Sequence, residues 1–144
     1  MSRGGCDDGQ EPAGGEGGAH HVADLGIEPL GFFDDEYAVA LNMGPRHLNI
    51  GGIVHGGVLC SLLDTAMARA FFMPESGETL SAATLEMKVN FLASCGGGRL
   101  EARARVVHRT RRTAYVEGRV VDQDGRVIAR ASSTMLVFAE GKSR

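Results

Sequence analysis

The sequence predicts an α+β fold in which one antiparallel sheet wraps a single apolar helix. Two observations carry the prediction: a wide apolar stripe at helical spacing in the middle of the chain, and a series of alternating strand patterns that follows it to the end.

Taken in order, His20 to Gly26 suits a short helix with Val22 and Leu25 on one side. Ile27 to Met43 reads as extended structure, because Tyr37, Val39 and Leu41 alternate with Ala38, Ala40 and Asn42. GPRHLNIGGIVHGG, from Gly44 to Gly57, is a loop punctuated by proline and glycine. Val58, Leu59, Leu62, Leu63, Ala66, Met67, Ala70 and Phe71 then form a stripe at helical spacing over about four turns. This helix is expected to start near Gly56 and to end before Pro74, which cannot continue it. Its stripe is broad enough to predict burial on most sides.

Everything after Gly77 reads as strand. Leu85, Met87, Val89 and Phe91 alternate with Glu86, Lys88 and Asn90, and Leu100, Ala102, Ala104 and Val106 alternate with Glu101, Arg103 and Arg105. Ala114 to Val121 continue less cleanly. Asp122-Gln123-Asp124-Gly125 is a hairpin turn signal, after which Val127, Ala129, Ala131, Ser133, Met135 and Val137 alternate. The expected order is strand, long helix, then about four antiparallel strands.

The 144 residues, 43% of them hydrophobic, suit one domain with one core. Residues 1–19 are rich in Gly, Asp and Glu and poor in large apolar side chains; they are expected to form a disordered tail, with the domain spanning residues 20–140. There is no apolar run near the roughly 20 residues needed to span a bilayer, and no apolar segment of a secretory signal at the N-terminus. Cys6, Cys60 and Cys95 are odd in number and widely spaced, which points to neither a disulfide framework nor a zinc site and suits a reducing cytoplasm.

The net charge of −3 argues against general nucleic-acid binding. It conceals an asymmetry: residues 1–36 carry nine acids against Arg3, whereas residues 99–144 carry eleven bases against five acids. Those arginines are expected mostly to sit on a solvated strand face, with room for a localised anion site.

The run His47-Leu48-Asn49-Ile50-Gly51-Gly52-Ile53-Val54-His55-Gly56-Gly57, followed by Leu62-Leu63-Asp64, resembles the signature of hotdog-fold acyl-coenzyme A thioesterases. Within them it is most similar to the phenylacetate-degradation branch, whose pattern is Asn, a glycine-containing loop, His-Gly-Gly, then a helix bearing Asp. The likeness extends from about Leu25 to Phe138. HGG alone is weak; the ordered set inside a strand–helix–four-strand pattern is strong. The resemblance implies a homodimer whose sheets join edge to edge, often doubled to a homotetramer, with active sites at the dimer interface.

From its position alone, Asp64 among Leu62, Leu63, Ala66 and Met67 is either a functional acid or a structural one bonded to a nearby backbone group or arginine, since an unpaired buried charge is costly. The resemblance moves it towards function, as the nucleophile or general base. Gly56, at a helix N-terminus, offers a bare N–H and the positive end of the helix dipole to a developing oxyanion; the plainer reading is that Gly56 and Gly57 permit tight packing there. The resemblance gives Gly56 the oxyanion role and makes Gly57 part of the substrate site. It places Asn49 near the thioester or the catalytic water, although a loop asparagine is commonly a turn former. His55 is read as loop-shaping and substrate-orienting. Thr84 falls where the resemblance implies a hydroxyl that holds the attacking water, with Ser81 as the fallback and an ordinary strand threonine as the plain alternative.

Arg109, Arg111 and Arg112 follow a strand end at His108 and could meet the phosphates of coenzyme A, because guanidinium groups offer forked donors. Where the resemblance expects glycine in this turn, the chain has Thr110-Arg111-Arg112-Thr113. Phe32, Phe33, Phe71, Phe72 and Phe91 could each shape an acyl pocket or simply belong to the core. No metal and no organic cofactor is implied: His20, His21, His47 and His108 have no ligand spacing, and thioester hydrolysis needs only a carboxylate, a water and an oxyanion donor.

Two other functions stand beside the thioesterase. One is a non-catalytic acyl-coenzyme A-binding module, against which Asp64 speaks, since a pure binder has little reason to bury a carboxylate by the thioester. The other is a hydratase or dehydratase, whose His-and-acid motif is not found here.

Overall fold

A computed structural model describes residues 20–71 and 80–139, the side chains of 80, 81 and 139 excepted. The expected tail at 1–19, Phe72 and Pro74 lie outside the described residues, as does the side chain of Ser81.

The elements are α1 (His21–Leu25), β1 (Glu28–Phe33), β2 (Glu36–Asn42), α2 (Gly56–Phe71), β3 (Leu80–Phe91), β4 (Arg99–Arg109), β5 (Thr113–Asp122) and β6 (Val127–Ala139). The strands form one sheet in the order β1-β2-β4-β5-β6-β3, with every neighbouring pair antiparallel. The sheet wraps α2, and this is the hotdog fold. What reads as one extended stretch before the loop is a hairpin, broken at Asp34, whose φ of 55° lies in the left-handed region that aspartate tolerates.

Leu59, Leu62, Leu63, Ala66 and Met67 of α2 are buried against Val39, Leu41, Leu100, Ala102, Val116 and Met135. Each fully buried Leu or Met contributes about 1.5–3 kcal/mol. The sheet meets the helix with small residues: a Cβ on Gly118 would lie 3.3 Å from Met67 Cγ and 3.4 Å from Leu63 Cδ2. The expected burial on most sides of α2 is present: among its residues only Gly57 and Arg69 are exposed. The face carrying Cys60, Ser61, Asp64 and Thr65 is half-buried; among the described residues the short α1 crosses it, with His21 Nε2 2.8 Å from Ser61 Oγ, and Thr84 of β3 meets it at Asp64.

The expected β5–β6 turn is present. Asp122 Oδ1 accepts from the N–H of Asp124 (3.0 Å) and of Arg126 (2.9 Å), and Gly125 takes a φ of 82°. Most of the C-terminal arginines are indeed on a solvated face. Arg99, Arg103, Arg119 and Arg126 are paired with Glu28, Glu101, Glu36 and Asp122.

One alternation pattern fails. Leu85 is 54% exposed, although it was expected to share a face with Met87 and Val89. The pairing of β3 with β6 slips between Thr84 and Glu86, so Leu85 is the extra residue of a β-bulge. The bulge resets the parity of β3: Thr84 faces α2, and so do Met87 and Val89, which pack on the core.

Candidate active site

Asp64 sits half-buried on the third turn of α2, and its Oδ1 accepts a 2.7 Å hydrogen bond from Thr84 Oγ1 on β3. The partner of the acid is thus a hydroxyl; among the described residues, Asp64 pairs with no arginine. One turn earlier is Cys60, whose thiol is pushed above the ordinary cysteine range by burial and then by the Asp64 carboxylate. A thiol held protonated is a poor nucleophile, which leaves the Asp64 carboxyl, already hydrogen-bonded to Thr84, as the candidate acting group on this face of α2.

The start of α2 is built by three side chains of the preceding loop. His47 is buried; its Nδ1 accepts from the Gly44 N–H (2.9 Å) and its Nε2 donates to the Leu25 carbonyl (2.7 Å). Asn49 Oδ1 accepts from the N–H groups of Gly51 (2.9 Å) and Ile53 (3.3 Å), which folds the loop tip back on itself. Gly52 takes a φ of 78° at that tip. His55 Nδ1 accepts from the Gly57 N–H at 2.8 Å and caps the helix. This geometry agrees with a loop-shaping His55 and gives Asn49 a turn-forming role.

Among the described residues, the N–H of Gly56 finds no acceptor, as befits the first residue of a helix. Gly56 lines a cleft of about 450 Å³ whose walls also include Asn49, Ile53, Leu59, Phe91 and Leu92. The packing reason for Gly56 is also present: a Cβ there would come within 3.3 Å of the Phe91 ring. A Cβ on Gly57 would lie 3.0 Å from His55 Nδ1, the capping atom.

The structure brings the predicted residues together in two groups. Asp64 and Thr84 form one; Asn49, His55, Gly56 and Gly57 form the other. Gly56 and Asp64 are eight residues apart on one straight helix, about 12 Å along its axis.

Arg109, Arg111 and Arg112 are in neither group. The Arg109 guanidinium lies over the Phe71 ring at 4.5 Å, at the far end of α2 from Gly56. Arg111 and Arg112 are exposed on the β4–β5 turn. Threonine replaces the expected glycine there for a visible reason. Thr110 Oγ1 accepts from the N–H groups of Arg112 (3.3 Å) and Thr113 (3.0 Å), so a side chain closes the turn and no residue in it needs a positive φ.

Sequence reasoning did not single out His47 as the buried brace of the loop, because a lone histidine in a loop carries no spacing signal. It named Phe91 only as one of five aromatics.

A wrapped helix with an acid on its middle turns and a bare amide at its start fits one class, the hotdog-fold hydrolases of thioesters. Residues 51–129 match the thioesterase superfamily, and the chain belongs to that family. Among solved structures it is similar to the phenylacetic acid degradation protein PaaI from Thermus thermophilus, in a mutant form, with 32% identity, 80% of this chain and 96% of that one covered, and a TM-score of 0.71. It is also similar to the PaaI protein of the phenylacetic acid degradation operon of E. coli, at 27% identity, 82% and 83% coverage and a TM-score of 0.73. A mutant of thioesterase PA1618 from Pseudomonas aeruginosa is 26% identical, with 82% and 85% coverage and a TM-score of 0.75. The two PaaI proteins agree with a PaaI-like branch for this chain. No helix among the described residues is long and apolar enough to cross a membrane.

Proposed function

We propose that the protein is a cytoplasmic acyl-coenzyme A thioesterase in which Asp64 of one subunit acts on a thioester whose oxygen is held by the Gly56 N–H of a second. The observation that carries this reading is the Asp64–Thr84 hydrogen bond at 2.7 Å on the open face of α2. The 12 Å or so between Asp64 and Gly56 along one helix supports the two-subunit form, because one chain cannot bring both groups to the same carbonyl.

The sheet offers the means. Among the described residues β3 is an edge strand, with a row of backbone groups open to a further strand. Thr84 touches Asp64, and Phe91 touches Gly56. Antiparallel pairing of two β3 strands about a two-fold axis near Lys88 sets Phe91 of one copy opposite Thr84 of the other, and so joins the two groups of residues. Such a dimer, alone or doubled to a tetramer, has two sites.

In each site the Gly56 N–H and the dipole of α2 stabilise charge on the thioester oxygen. Asp64 then acts in one of two ways. Its carboxylate bonds to the carbonyl carbon, the C–S bond breaks, coenzyme A leaves as the thiolate, and water cleaves the resulting anhydride. Alternatively the carboxylate takes a proton from water as the water oxygen bonds to the carbon, and that proton passes to the departing sulfur. Thr84 orients the carboxylate or the water. Asn49 and His55 fix the loop that presents Gly56 and Gly57 to the substrate. Arg111 and Arg112, with Arg109 behind them, meet the phosphates at the far end of the coenzyme. The PaaI likeness favours aryl-acetyl or medium-chain acyl groups.

The test is release of free thiol from a panel of acyl-coenzyme A esters by wild type and Asp64→Asn. Release by wild type, with a loss of at least about a thousandfold in the folded variant, is the expected outcome for the group that drives the chemistry. Binding of the esters without any release would instead favour the non-catalytic acyl-binding module.

A further inference from the structure

We propose that Phe91 selects the acyl group, the faces of its ring forming the wall along which the acyl chain lies while the thioester oxygen meets the Gly56 N–H. The proposal rests on the thioesterase reading above and names the residue that decides its substrate.

Of the aromatic side chains that could shape a pocket, three are committed elsewhere. Phe32 stacks edge-on against Tyr37 with ring centroids 5.0 Å apart, Phe33 lies under Arg103, and Phe71 lies under Arg109. Phe91 lines the cleft that holds Asn49 and Gly56. It meets the helix with its tip and not with a face: a Cβ on Gly56 would lie 3.3 Å from Cζ and 3.4 Å from Cε1. In the single chain Phe91 is 56% exposed, which leaves it free for contacts across the proposed subunit interface and with a bound acyl group.

An acyl group whose oxygen reaches the Gly56 N–H therefore starts beside this ring. The other apolar walls, Ile53, Val54, Leu59, Leu92 and Ala93, are aliphatic. A straight chain gains only buried area from them. A planar chain gains that area and an offset or edge-on aromatic pair with Phe91 as well. The cleft, at about 450 Å³, is of a size that takes small ligands.

The experiment compares kcat/KM for phenylacetyl-coenzyme A and hexanoyl-coenzyme A in wild type, Phe91→Leu and Phe91→Tyr, with oligomeric state measured by size-exclusion chromatography. The expected result is a fall in the aryl-to-alkyl ratio of about two- to tenfold in Phe91→Leu, as loss of one aromatic pair would give, and a retained ratio in Phe91→Tyr. An unchanged ratio in Phe91→Leu overturns the assignment. So does an equal loss on both esters, or a change of oligomeric state alone, which would make the ring a packing element. If wild type hydrolyses neither ester, the thioesterase reading falls and takes this one with it; that failure is seen in the wild-type arm, before any variant is compared.

Discussion

The carboxylate of Asp64 and the hydroxyl of Thr84 are 2.7 Å apart, and this pair is the most direct test of chemistry at single residues. Thr84→Val keeps the shape and removes the donor. A hydrogen bond to a charged group contributes about 1.5–3 kcal/mol, so kcat should fall roughly ten- to a hundredfold, with Thr84→Ser close to wild type. Equal rates for Val and wild type would reduce Thr84 to a strand residue. The arginines of the β4–β5 turn call for a substrate comparison instead. Replacing Arg111 and Arg112 by Ala should raise KM for a coenzyme A ester about tenfold, and leave KM for the matching pantetheine thioester unchanged, because charge-assisted bonds to phosphate exist only in the first. The same increase for both thioesters would remove the phosphate contact.

At the scale of elements, what fixes the site is how the sheet is pinned and how close α2 lies to it. Glu36, at the start of β2, reaches over β4 to Arg119 on β5 through paired bonds, Oε2 to Nη1 and Oε1 to Nη2, the second at 3.2 Å. The hydrogen bond from Arg119 holds the Glu36 carboxyl below the ordinary glutamate range, against the opposing effect of burial. A depressed folded-state pKa contributes stability above the ordinary glutamate value of about 4.3, and that contribution is lost as pH falls through the lower folded value. Glu36→Gln should therefore lower the thermal midpoint at pH 7 by the equivalent of about 1 kcal/mol, a modest figure because both side chains are part-exposed. The difference from wild type should shrink as the pH drops below about 4. A difference constant from pH 7 to 3 would show that the pair adds nothing beyond packing. On the inner face, Gly118 lets Met67 and Leu63 approach the sheet, and so sets the height of Asp64 above β3.

For the whole molecule, the separation of Asp64 from Gly56 along α2 makes complementation the decisive measurement. Gly56→Pro removes the N–H at a first helical position that accepts proline, and adds a Cβ 3.3 Å from the tip of the exposed Phe91 ring. Alone, Gly56→Pro and Asp64→Asn should both be inactive. Unfolded, mixed and refolded together, they should recover about a quarter of wild-type activity per subunit, because half of the randomly formed dimers carry one intact site out of two. No recovery from folded mixed dimers would place both groups in one chain and sink the two-subunit reading.

What the sequence determined by itself is what depends on local pattern and on ordered motif. Periodicity placed α2 within its observed bounds, and the Asp122–Gly125 turn was legible because its chemistry is local. Asn49, His55, Gly56, Gly57, Asp64 and Thr84 were singled out through the family resemblance of the ordered motif, and composition and spacing alone left a plain structural reading open for each. The tertiary structure decided the rest. Strand order, with β3 at an edge beyond β6, depends on pairing between distant segments. The bulge at Leu85 depends on the partner strand, and strict alternation hides it. Which of the described phenylalanines faces the cleft, and which arginine lies over Phe71, depends on directions that no spacing encodes. Hydrophobic pattern says which side of an element turns inward; what it meets there is set by how the whole sheet closes on the helix.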